Sequence, residues 1–147
     1  MQVIIHPPLE QALEDIVPGD CYGCGALNEH GHQIKSFWDG EKAVCHWTPK
    51  AHHAAGGPYL YGGIIASLLD CHLCQTGIVG LYAHADRVFG DDGGADLWAV
   101  TANLNVDYLA PTPIGSIIEV EARIVSVDGK KVRVEGTLGA EGKITAK

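Results

Sequence analysis

The stretch YLYGGIIASLLDCHLCQTGIVGLYA, Tyr59 to Ala83, carries one formal charge, Asp70, near its middle. From Ile64 to Val79 the apolar residues, among them Ile65, Leu68, Leu69, Leu73 and Ile78, fall at almost every helical azimuth. A helix that is apolar all round is buried, not laid on a surface. Residues 59–83 are therefore expected to form one long central helix with its lead-in turn. A lone carboxylate in such a helix is costly unless it has a partner or a task. The bland alternative for Asp70 is a buried acid satisfied by neighbouring hydroxyls or amides. The stretch is long enough to span a bilayer, but Asp70, His72, Gln75, its glycines and the lack of a basic flank favour a core helix.

The rest of the chain reads as one domain, residues 1–147, long enough for a sizeable core. A net charge of −8 and a pI near 5.3 leave no electrostatic footprint for nucleic acid or an anionic membrane. The opening MQVIIHPPLEQALEDIV has acids and prolines where a secretory leader needs a basic start and an apolar run. Five cysteines, two of them inside the helix, fit reduced thiols better than a disulfide framework. A cytoplasmic location is the expectation.

Residues 1–20 hold an amphipathic segment, Leu9 to Val17, expected as a helical extension closed by Pro18-Gly19. The loop CYGCGALNEHGH (Cys21–His32) follows. Its Cys-x-x-Cys with His30 and His32 invites a zinc reading, but lacks the long separation that lets a finger close around its metal. Small thiols bracing a tight loop is the plainer reading, with Cys71, His72 and Cys74 as packing residues. Alternation over Gln33–Phe37 and Ala43–Thr48, joined at Asp39-Gly40, predicts a β-hairpin. The loop Lys50–Pro58 brings His52 and His53 to the helix mouth. After the helix, His84–Asp96 is an acidic, glycine-containing loop whose Asp91, Asp92 and Asp96 lack the ordered spacing of a calcium site. Strands are expected over Leu97–Tyr108, Ile117–Val127 and Lys131–Leu138, the last two joined at Asp128-Gly129, with another beginning at Gly142. Two strands, a long buried helix and at least three more strands predict an α+β domain with an antiparallel sheet curled around the helix.

In this order and spacing, Cys21–Gly25, His53, Tyr61-Gly62-Gly63, Asp70 and Asp107-Tyr108-Leu109-Ala110-Pro111 resemble the hotdog-fold acyl-CoA thioesterases of the PaaI-like group. The resemblance covers roughly Cys21 to Lys147. It implies a curved antiparallel sheet around one central helix, and hydrolysis of a small or medium acyl-CoA. Coenzyme A is then part of the substrate, and no other cofactor and no metal is implied. Carried over to this chain, the Gly62 N–H is the oxyanion donor, Asp70 the general base or nucleophile, and Thr101 the hydroxyl that helps place water. His53, Tyr61 and Gly63 are substrate-binding candidates. Tyr61 stands where the family usually has histidine, and tyrosine cannot shuttle a proton near neutral pH. The relative without turnover, binding an acyl-CoA or apolar ligand in a dimer cleft, is the alternative. A zinc-stabilised interaction domain on Cys21, Cys24, His30 and His32 is a third reading.

Spacing adds a conclusion of its own. Gly62 and Asp70 are eight residues apart, about 12 Å along a helix axis, yet both must come within about 3 Å of the reacting atoms. Two copies exchanging these groups across a symmetric interface resolve the conflict. A homodimer, or the tetramer also known in the family, is expected. Lys130, Lys131, Arg133 and Arg87 are candidates for contact with the phosphates of coenzyme A.

Overall fold

The Asp39-Gly40 turn does what its composition dictates. The Asp39 carboxylate accepts the main-chain N–H of Glu41 and of Lys42, both at 2.8 Å, and Gly40 takes the positive φ of +101°. The turn joins strands β1 (Ser36–Trp38) and β2 (Ala43–Trp47). β1 starts later than the alternation predicts, because Gln33 has a φ of +50° and the Ile34 N–H is given to the Gly23 carbonyl instead. The computed structural model describes residues 19–87 and 97–147. The expected helix over 9–17, the acids Asp91, Asp92 and Asp96 and most of the loop around them lie outside these residues.

Among the described residues, five strands form one antiparallel sheet in the order β1-β2-β3-β4-β5, with β3 at Ile118–Asp128, β4 at Lys131–Ala140 and β5 at Lys143–Ala146. The Asp128-Gly129 hairpin closes as expected, with Asp128 opposite Lys131 and Gly129 at a φ of +56°. A bulge between Ile124 and Ser126 bends the long β3–β4 ribbon. Helix α1 (Gly62–His84) lies in the sheet's concave face, its Leu68 and Leu69 packed with Ile118, Val120 and Leu138. The close approach of helix and sheet depends on Gly136 of β4, where a Cβ would fall 2.7 Å from the Leu73 side chain.

Two expectations need correction. The helix is buried all round only from Gln75 to Tyr82. Its first half keeps an open side at Gly62, Ile64, Ala66, Ser67, Asp70, Cys71, Leu73 and Cys74. The Cys21–His32 loop meets Ser67 and Cys71, while Asp70, Leu73 and Cys74 face a groove that the sheet also lines. The strand expected over Leu97–Tyr108 is also not formed along its length. Only its end is paired, by hydrogen bonds of Asp107 with Lys147 and of Leu109 with the Thr145 carbonyl. Burial alternates over 97–100, with Trp98 and Val100 outward and Leu97 and Ala99 inward, but residues 100–103 are all exposed and the chain bends at Ala102. Among the described residues, 97–106 have no strand alongside them, and alternation alone cannot supply one.

His72 illustrates the buried side of α1. Its Nδ1 meets the Ser36 hydroxyl at 2.7 Å and its Nε2 meets the Ala43 carbonyl at 3.3 Å. Burial pushes its pKa down to about 4, against a smaller upward pull from the Ala43 carbonyl, so the ring is neutral near pH 7. It is a packing residue, as expected, and it ties the helix to both strands of the first hairpin.

Candidate functional site

The helix mouth is assembled from three segments. Ala51–His53 forms a short 3-10 turn, and the His53 carbonyl accepts the Tyr61 N–H at 2.9 Å. The lead-in residues then cross to the Asp-Tyr-Leu-Ala-Pro segment, where the Leu60 N–H bonds the Thr112 carbonyl and the Ile114 N–H bonds the Pro58 carbonyl. Tyr61 is extended (φ −64°, ψ 133°) and caps α1 without a side-chain hydrogen bond. Its carbonyl accepts the N–H groups of Ile64 and Ile65, whereas the Gly62 and Gly63 N–H groups have no partner among the described residues. Free donors at the positive end of a helix dipole are suited to a developing anion.

Gly62 opens into a cleft of about 370 Å³ lined by Leu60, Ile65 and residues 108–112. The Tyr108 hydroxyl donates to the Gly62 carbonyl at 2.8 Å, and a Cβ at Gly62 would touch the Tyr108 ring at 3.4 Å. The exposed Tyr61 ring folds over Gly63, where a Cβ would fall 2.5 Å from it. His53 lies beside this mouth, not among the cleft's lining residues. Its Nδ1 accepts the Lys50 N–H at 2.9 Å and its ring stacks on Trp47 with centroids 4.9 Å apart. Burial, then the charges of His52 and Lys50, lower its pKa, and the accepting Nδ1 places the proton of the neutral ring on Nε2.

Asp70 lies elsewhere. With Leu69, Leu73 and Cys74 it lines the groove of about 1520 Å³ between the open side of α1, residues 98–105 and the β3–β4 ribbon. Asp70 is half-buried and has no hydrogen-bond or ion-pair partner among the described residues, so the bland reading of a satisfied core acid does not describe it. Thr101 is exposed and lines the same groove. Lys130, Lys131 and Arg133 line the groove's far wall. Arg87 lies apart, its guanidinium 5.1 Å from the centre of the Tyr82 ring. One copy of the chain thus brings Asp70 and Thr101 to one cavity and Gly62 to another.

A family profile described as Thioesterase superfamily matches residues 57–146, which take in the helix mouth, Asp70, Thr101 and all of β3 to β5. The chain belongs to the thioesterase superfamily. A thioesterase superfamily protein of Shewanella loihica PV-4 is 39% identical, with a TM-score of 0.59, over 80% of this chain and 87% of that one. The PaaI protein of E. coli, from the phenylacetic acid degradation operon, matches in fold, with a TM-score of 0.59 and 20% identity over 77% of this chain and 71% of its own. Acyl-coenzyme A thioesterase THEM4 of Xenopus laevis is 29% identical over 91 residues, 62% of this chain and 34% of that protein. The chain thus matches about a third of the length of such curated relatives. The helix held by a curved antiparallel sheet is the superfamily's hotdog arrangement, as the motif order implied.

The zinc reading on Cys21, Cys24, His30 and His32 is not what the loop forms. His30 is exposed, and His32 is buried with its Nε2 on the Ser67 hydroxyl at 3.0 Å. Sequence reasoning missed two features of this thioesterase-superfamily chain. Tyr108 was legible only as a letter in the Asp-Tyr-Leu-Ala-Pro segment, and its hydrogen bond to the helix mouth depends on a pairing 46 residues apart. The other is Cys71, whose sulfur lies within 4.8 Å of those of Cys21 and Cys24.

Proposed function

We propose that this protein hydrolyses a small or medium acyl-CoA thioester at a site shared between two copies of the chain. The observation that carries the reading is the superfamily match, which spans a helix mouth with free N–H donors and an unpartnered carboxylate. In this mechanism the thioester carbonyl accepts the Gly62 N–H, and Asp70 of the other copy acts as general base on water or as the nucleophile itself. On the general-base route the water proton passes to Asp70, hydroxide adds to the carbonyl carbon, and the oxyanion rests on Gly62. Collapse breaks the C–S bond and returns the proton to the departing thiolate. Thr101, on the same groove as Asp70, helps place the water. Tyr61 and Gly63 form the rim, His53 braces it through its carbonyl, and Lys130, Lys131 and Arg133 offer positive charge to the phosphates of coenzyme A.

The separation of Gly62 and Asp70 into two cavities supports the shared site, as does the exposed extended edge at residues 97–106, which offers a second copy a surface to pair with. Tyr61 favours one other reading, a hotdog protein that binds an acyl-CoA or apolar ligand without turnover. Release of free thiol from a panel of acyl-CoAs, by wild type and by Asp70→Asn, tests the choice. Hydrolysis lost in the variant supports the enzyme. Saturable binding without hydrolysis by either protein supports the binding module.

A further inference from the structure

Cys21, Cys24 and Cys71 bring their three sulfur atoms within 4.8 Å of one another. Two come from a loop and the third from the middle of α1, and the fold builds this meeting deliberately. The Gly25 N–H bonds the Cys21 carbonyl at 2.8 Å, which turns the Cys-x-x-Cys segment so that both thiols face the same way. A Cβ on Gly25 would fall 2.5 Å from the Cys21 backbone, and one on Gly23 would fall 2.5 Å from the Cys71 sulfur. Both glycines are therefore required for the loop to seat on the helix. Hydrogen bonds from the His32 N–H to the Tyr22 carbonyl (2.8 Å) and from the Ile34 N–H to the Gly23 carbonyl (3.0 Å) hold the loop from behind. His32 then ties it to α1 through Ser67.

We propose that these three thiols form a structural site for a soft divalent cation, zinc in the first instance, which staples the loop to the helix beside Asp70. A tetrahedral centre with Zn–S bonds of about 2.3 Å sets its sulfurs about 3.8 Å apart. The trio reaches that spacing with side-chain movements of about 1 Å or less, because its widest pair is already within 4.8 Å. Each thiol releases its proton to solvent as its Zn–S bond forms, and the dication balances two of the three negative charges created. The fourth position falls to water or to Cys74, one helical turn beyond Cys71, whose thiol now donates to the Ala99 carbonyl at 3.4 Å. Packing alone gives no reason for three thiols to converge, since an apolar contact is met equally by sulfurs that point apart. This inference does not depend on the thioesterase reading.

The test uses the full chain, purified under reductant and without chelator from zinc-supplemented cells. Elemental analysis is expected to find about one zinc per chain, and Cys71→Ser is expected to lower zinc affinity by more than about a hundredfold, beyond the usual cost of an outer-shell change. Should Cys71→Ser fail to fold, cobalt(II) titration of the wild-type chain keeps the proposal exposed. It predicts intense tetrahedral d–d bands with thiolate-to-cobalt charge transfer. Zinc that survives Cys71→Ser belongs to surface histidines and overturns the site. So does a reduced chain that takes up neither zinc nor cobalt, or a thiol count showing Cys71 in a disulfide.

Discussion

The two halves of α1 are both rich in apolar residues and have different surroundings. From Gln75 to Tyr82 every residue is buried, and side chains such as Ile78 and Tyr82 pack with Leu97 and Ala99. From Gly62 to Cys74 the sheet covers one side, the Cys21–His32 loop meets Ser67 and Cys71, and free N–H groups and the Asp70 carboxylate stay uncovered. Both halves pack into the core, the first through Ile65, Leu68 and Leu69, but only the first also leaves free N–H groups and a carboxylate uncovered. The difference arises outside the helix, in which partners reach each turn.

If this division is right, substitutions in the two halves separate activity from stability. Asp70→Asn is expected to lower kcat/KM by about 10²–10⁴, the usual contribution of general acid–base catalysis, while thermal unfolding stays close to wild type because Asp70 has no partner to lose. Steady-state kinetics on an accepted acyl-CoA, paired with calorimetry, checks both parts. Ile78→Ala reverses the pattern. It is expected to cost about 2–5 kcal/mol of stability, read from urea unfolding, with near-wild-type kcat below the shifted transition.

A smaller effect comes from pH. His72 titrates near 6.5 unfolded and near 4 in the fold, so the unfolded chain binds the proton first. Stability is full above pH 6.5 and declines as pH falls to about 4, by about 3 kcal/mol in total. His32 and His53, whose pKa values are also lowered, add slope of the same sign. Unfolding free energies across this window should show a shallower slope in His72→Gln. An unchanged slope would remove His72 from the account. Smallest is Tyr108→Phe, which deletes the hydrogen bond to the Gly62 carbonyl. It is expected to cost about 1 kcal/mol of stability, with a few-fold loss in kcat if the mouth loosens.

The sequence carried the hairpins well, because Asp39-Gly40 and Asp128-Gly129 encode their turns within a few residues. It carried the helix too, and the order of motifs led to the superfamily. What it could not carry depends on pairing at long range. Residues 97–106 alternate in sequence, but a strand exists only where a partner lies, and β5 and Lys147 meet residues 107–109, past the last of them. Asp70 could be read as special but not as unpartnered, since that depends on which side of α1 the sheet leaves uncovered. Cys71 read as packing because its neighbours, Cys21 and Cys24, lie about fifty residues earlier in the chain.

The central claim is that one site takes Gly62 from one copy and Asp70 from another, and subunit mixing tests it most directly. Gly62→Pro removes the donor N–H at a position where proline suits the first helical turn, and the extended Tyr61 before it is already compatible with proline. Each variant alone, Gly62→Pro or Asp70→Asn, is expected to be nearly inactive. A heterodimer purified through two different tags should regain about half the wild-type rate per dimer, because one of its two sites is then intact. A heterodimer as inactive as its parents would place both groups in a single copy and contradict the shared site.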